Sequence, residues 1–120
     1  MKFLDFTQSI PFEQVVNIEG KEFLFSFHWR KTDDVVLCDL STATGETIVI
    51  DEELRYGMPL FFRHIPDSNG NINQKFPQKL ILPITENGEY LRLGIESLFK
   101  EITLVLVDVE VAKTRISGLL

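Results

Sequence analysis

The sequence predicts an all-β fold: a small antiparallel meander that closes into a barrel or a two-layer sandwich, with at most one short helical turn. Apolar residues in the first half recur with period two, the mark of half-buried strands. Short polar turns separate these runs, too short for parallel crossovers. The aromatic content is dominated by 10 Phe beside one Trp, and much of it falls on alternating positions.

The clearest strand is Lys21 to Arg30. Phe23, Phe25, Phe27 and Trp29 share one face, and Leu24, Ser26, His28 and Arg30 share the other. Residues 10–18 form the strand before it, and Glu19-Gly20 is the turn. That turn pairs Val16 with Phe23, Phe12 with Phe27 and Ile10 with Trp29, all on the aromatic face. A turn at Thr32-Asp33 then sets Trp29 opposite Val36, Phe27 opposite Cys38 and Phe25 opposite Leu40. A third turn, Thr42-Ala43-Thr44-Gly45, leads into a strand at 46–50.

The second half is less regular. Asp51-Glu52-Glu53-Leu54 can start a helical turn that Gly57 and Pro59 cut short. Residues 58–65 read as a strand or a buried connection, and 66–71 as a loop. Residues 78–84 read as a strand whose Pro83 demands an edge or a bulge. Glu86-Asn87-Gly88 is a turn, followed by a short strand at 90–94, a helical turn at 95–100 and a strong strand at 101–109. At 120 residues there is room for one core. Residues 1–120 therefore read as a single β domain, with 1–9 as an N-terminal arm and 110–120 as a C-terminal tail.

Charge narrows the functional classes. Lys+Arg number 12 against 18 Asp+Glu, a net charge of −6, which repels phosphate backbones and disfavours nucleic acid as a specific ligand. The single cysteine, Cys38, leaves no internal disulfide and suits a reducing compartment. The N-terminal apolar run breaks at Asp5 and Gln8, unlike a signal peptide. The longest strongly apolar stretch, 102–107, falls far short of the ~20 residues of a spanning helix. A soluble chain with no membrane partner is expected.

Candidate sites are weighed against plain packing. Cys38 and His28 suggest a nucleophile and base, but the register puts them on opposite faces, so Cys38 is expected as a small buried hydrophobe. His64 has no ligand-spaced companion and reads as a partly buried, satisfied histidine. Asp67, Asn69 and Asn71 alternate like the first ligands of a calcium loop. Ile72 stands where the sharp-turn glycine belongs and Gln78 where the bidentate acid belongs, so an Asx-rich turn is the better reading. Asp33-Asp34 and Asp51-Glu52-Glu53 read as solvated acidic turns rather than catalytic pairs. The Phe23-Phe25-Phe27-Trp29 stripe reads as core rather than as a base-stacking platform, because only Lys21, Arg30 and Lys31 lie near it. No catalytic, cofactor-binding or metal-ligating residues are expected, and no cofactor.

The other face of the meander, with Leu24, Val35, Leu37, Ile48 and Ile50, is too apolar for a fully solvated sheet. Either the second half covers it or a partner does. Phe61, Phe62, Phe76 and Phe99 lie in the irregular half and mark a second place to look for a partner's surface.

The order of features resembles a family of phage tail proteins, the baseplate plug proteins first seen in a cyanophage. The resemblance rests on Ile10-Pro11 with Gln14 shortly after, Gly20 before the aromatic strand to Trp29, Leu37-Cys38-Asp39-Leu40 before the Gly45 turn, and Leu104-Val105-Leu106-Val107-Asp108. It spans roughly residues 10–109, departing in the longer, more polar stretch 69–84 and in the C-terminal tail. It implies a structural, non-enzymatic virion protein, assembled in the host cytoplasm, that plugs or lines the axial channel of a tail baseplate. Hub and tube-initiator subunits would be its partners, with a homo-oligomer about the tail axis. The alternative is a small β-barrel binding module for an oligosaccharide or a single-stranded nucleic acid.

Overall fold

The computed structural model describes residues 2–6, 9–64 and 73–107. Seven strands run in chain order: β1 (Lys2–Phe3), β2 (Phe12–Ile18), β3 (Lys21–Arg30), β4 (Val35–Thr42), β5 (Thr47–Glu53), β6 (Leu80–Thr85) and β7 (Ile102–Val107). The first sheet is the predicted meander, β2-β3-β4-β5, and the second has the order β1-β7-β6. Every strand pair is antiparallel. The sheets do not join into a barrel; they share one core, the two-layer alternative. Among the described residues no helix is long and apolar enough to cross a membrane.

The registers follow the alternation. Phe12 pairs with Phe27 and Val16 with Phe23, while Ile10 lies before the ladder begins. Across the next turn Trp29 meets Val36, Phe27 meets Cys38 and Phe25 meets Leu40. Phe23, Phe25, Phe27, Val36, Cys38 and Leu40 are all buried. Against them pack Leu80, Ile81 and Leu82 of β6 and Leu104, Val105 and Leu106 of β7. The second sheet thus covers the aromatic face, not the opposite one. Trp29 shares that face by register but sits at its rim and is 38% exposed.

The N-terminal segment is stitched into this core. β1 pairs with β7, and the Leu4 amide donates to the Leu104 carbonyl at 2.8 Å. Phe6 then packs its ring 5.0 Å from Phe27, 5.2 Å from Phe99 and 5.9 Å from Phe25. Tilted and edge-on aromatic pairs of this kind add to the value of their buried area. The proposed C-terminal tail, 110–120, lies outside the described residues, as does the loop at 66–71.

The irregular half departs from expectation in three places. Residues 51–53 continue β5 instead of starting a helical turn, because a bulge opposite Asp39 lets the strand carry on: Leu40 meets Val49, yet Cys38 meets Glu52. Asp51 takes a left-handed φ of 57° there. Residues 90–94 form no strand, since the β6 hairpin partner is β7 and its ladder already occupies that edge. Residues 95–100 make successive turns with no helix, although the Leu98 amide reaches the Gly94 carbonyl at 3.0 Å.

Pro83 is accommodated at an edge, as its missing N–H requires. That edge is not bare. Residues 57–60 lie along it, with the Gly57 amide on the Pro83 carbonyl at 2.8 Å and the Leu60 amide on the Ile81 carbonyl at 2.9 Å. Gly57 has φ +74°, a conformation that costs a residue with a Cβ. Residues 58–64 are therefore a connection, with Leu60 and Phe61 buried.

Candidate functional site

The surface chemistry concentrates on the meander, at the β3–β4 turn and around the β5 bulge. In the turn, Asp34 adopts φ 51°, and its carboxylate gathers three donors. Trp29 Nε1 reaches Oδ1 at 2.8 Å, the Ile95 amide reaches Oδ1 at 3.0 Å, and Arg92 Nη1 reaches Oδ2 at 2.9 Å. Arg92 Nη2 also donates to the carbonyls of Asp33 and Asp34. The Ile95 amide, then the Trp29 indole, hold the Asp34 carboxyl below its ordinary range. Asp34 is thus a tie between the meander and residues 92–95, where a solvated turn was expected.

Asp33 is an exposed turn acid, as expected, whereas Glu53 is half-buried at the end of β5. Arg30 donates to both, Asp33 accepting from its Nε and Nη2 and Glu53 from Nη2, while Arg55 also reaches Glu53. The Arg30 hydrogen bond depresses both carboxyl groups. Such surface pairs orient side chains more than they stabilise.

The bulge separates three consecutive acids. Glu52, opposite Cys38, takes the core-facing side, and its Oε2 is buried without a hydrogen-bond partner. Burial pushes its carboxyl up, with His64 pulling the other way. It lines a cavity of about 380 Å³ with Val49, Met58, Phe62, Arg63 and His64. Asp51 turns outward, and His28 Nε2 lies 3.0 Å from its Oδ1. The Asp51 amide donates to Asp39 Oδ1 at 2.7 Å. His28, Asp39 and Asp51 therefore meet on the outer face, with their ligand atoms within 4.8 Å of one another.

Cys38 and His28 lie on opposite faces, as the register predicts. Cys38 is fully buried, donates weakly to the Asp39 carbonyl, and has its thiol pushed well up by desolvation. His64 is corrected: it is exposed, stacked 6.4 Å from Phe76 with its ring nearly parallel. The calcium-like residues Asp67, Asn69 and Asn71 fall outside the described residues.

On the outer face, Leu24 and Val35 are half-buried and Leu37 is buried, while Ile50 is 65% exposed. Ile48 is corrected, since it packs against the core. Val15, opposite Leu24, adds a further exposed residue to that face. Of the four phenylalanines singled out in the irregular half, Phe61 and Phe76 are buried and Phe99 packs on Phe6 and Phe27. Phe62 alone of these is substantially exposed. The sequence signal for the outer cluster was present in part: His28 and Asp39 share a face in the predicted register. The bulge that brings Asp51 to them was not foreseen.

A family model described as "Cyanophage baseplate Pam3 plug gp18" matches residues 1–110 of the chain. The chain belongs to that baseplate plug family. No curated protein matches it. Membership makes this a structural component of a bacteriophage tail baseplate, as the resemblance implied.

Proposed function

We propose that the chain plugs or lines the axial channel of the tail, as a single β domain seated against hub and tube-initiator subunits. The family match over residues 1–110 carries this reading. The surface supports it: Val15 and Ile50 project from the meander's outer face, and among the described residues no strand pairs with the outer edge of β5. Interfaces between subunits bury such apolar residues within a polar rim, and an open edge suits strand addition. Copies arranged about the tail axis would follow the symmetry of the tube. Assembly takes place in the host cytoplasm, before the virion is released.

The oligosaccharide or single-strand reading is less well supported. Its stacking platform would be the Phe23-Phe25-Phe27-Trp29 face, whose three phenylalanine rings are buried under the second sheet and whose Trp29 stands at the rim.

The decisive experiment deletes the gene and examines the particles by electron microscopy and plaque assay. Tails that fail to assemble, or that form without a closed baseplate, are expected. Normal infectious particles would refute the proposal. Purified chain should also co-sediment with the hub and tube-initiator proteins of the same phage.

A further inference from the structure

We propose that His28, Asp39 and Asp51 form a binding site for a divalent transition metal, Zn²⁺ in the first instance, on the outer face of the meander. The residues come from three adjacent strands: His28 and Asp39 stand in the β3–β4 ladder, and the β5 bulge brings Asp51 beside them. Their ligand atoms already lie within 4.8 Å of one another. Ligands around tetrahedral zinc bind at about 2.0–2.2 Å, which places neighbouring ligand atoms a little over 3 Å apart. His28 Nε2 and Asp51 Oδ1 have that separation now, at 3.0 Å. Asp39 completes the triangle within the same 4.8 Å.

The arrangement is more than a group of acids. The imidazole makes the donor set N, O, O, which suits zinc and its transition-metal neighbours, whereas calcium and magnesium prefer all-oxygen shells. The Asp51 amide holds Asp39 Oδ1 at 2.7 Å and so orients the carboxylate. Among the described residues, neither Asp39 nor Asp51 is paired with a lysine or arginine. Two carboxylates thus face one imidazole, and a divalent ion would neutralise them. Binding requires the Nε2 lone pair, so any proton held between His28 and Asp51 leaves to solvent. Three protein ligands leave a further position for water or for a ligand from a neighbouring subunit.

The test uses the full chain, free of any histidine tag and stripped with EDTA. Zinc chloride is titrated by calorimetry, and melting curves are recorded with and without the ion. One zinc per chain is expected, with micromolar affinity and a melting temperature raised by several degrees. His28→Gln and Asp39→Asn should each weaken binding at least tenfold while leaving the metal-free melting curve nearly unchanged. His64→Gln, at the second of the two histidines, should bind as the wild type does. No binding below millimolar zinc would overturn the proposal, as would unchanged affinity in His28→Gln. Equal affinity for magnesium or calcium would overturn the assigned donor set. The outcome does not depend on the channel reading, since it needs no other tail protein.

Discussion

The indole of Trp29 donates to the carboxylate of Asp34 at 2.8 Å, across a turn that Asp34 itself closes with a left-handed backbone. The same carboxylate receives the Ile95 amide and Arg92. One side chain therefore fixes the rim tryptophan, the β3–β4 turn and a segment far along the chain. Replacing Asp34 with Ala should unfasten all three. The expected outcome is a lower urea midpoint and a red-shifted Trp29 emission, because the indole loses its partner at an already exposed rim. An unchanged emission maximum would show that Asp34 does not hold the ring.

Gly94 sits beneath this tie. A Cβ there would collide with Asp34 Oδ2 and come within 2.8 Å of Arg92 Nη1. Neither side chain is free to yield, since each is held by several hydrogen bonds. Gly94→Ala should destabilise by about 1–2 kcal/mol, in the range of other overpacking substitutions. Combined with Asp34→Ala, much of that cost should vanish, which a double-mutant cycle by urea denaturation reads directly.

Acid should weaken the chain through the same group. The Ile95, Trp29 and Arg92 donors lower the folded-state pKa of Asp34, and the Arg30 hydrogen bond lowers those of Asp33 and Glu53. Their contribution is complete above the ordinary carboxylate range of about 4 and is lost as pH falls through the depressed values. Asp34→Asn should therefore flatten the fall in melting temperature below about pH 4.

Glu52 should behave in the opposite sense. Its folded-state pKa is raised, chiefly by burial. Its favourable contribution is complete below the unfolded pKa and is lost as pH rises through the folded one. Ionising the carboxyl works against its burial, since Oε2 is buried without a hydrogen-bond partner. Glu52→Gln should raise the melting temperature at pH 7, and the gain should shrink toward pH 4. A loss of stability at pH 7 would show that the charge is used.

Phe27 tests the shared core. It is 1% exposed and touches Phe6, Phe12, Phe25 and Phe99. Phe27→Ala should cost about 3–5 kcal/mol, measured by urea unfolding.

How much of this was readable in advance depended on sequence distance. Phe23, Phe25 and Phe27 declare a buried face by alternation, and short turns set their partners, so the meander's register could be derived residue by residue. Alternation fails where a strand changes register: Ile50 and Asp51 both face outward, and no local pattern announces the bulge. It also fails where a backbone hydrogen-bonds without repeating, as in residues 57–60. Arg92 lies 58 residues from Asp34, and nothing in either neighbourhood names the other. The outer cluster of His28, Asp39 and Asp51 falls between these cases, with two members on a readable face and the third delivered by the bulge.

Residues 57–60 also bear on how many copies can add to one another. A sheet grows without limit only if both of its outer strands can accept a newcomer. Along β6 the Ile81 and Pro83 carbonyls are already occupied and Pro83 has no N–H to offer. The second sheet therefore has a dead end, and runaway fibre growth through it is blocked.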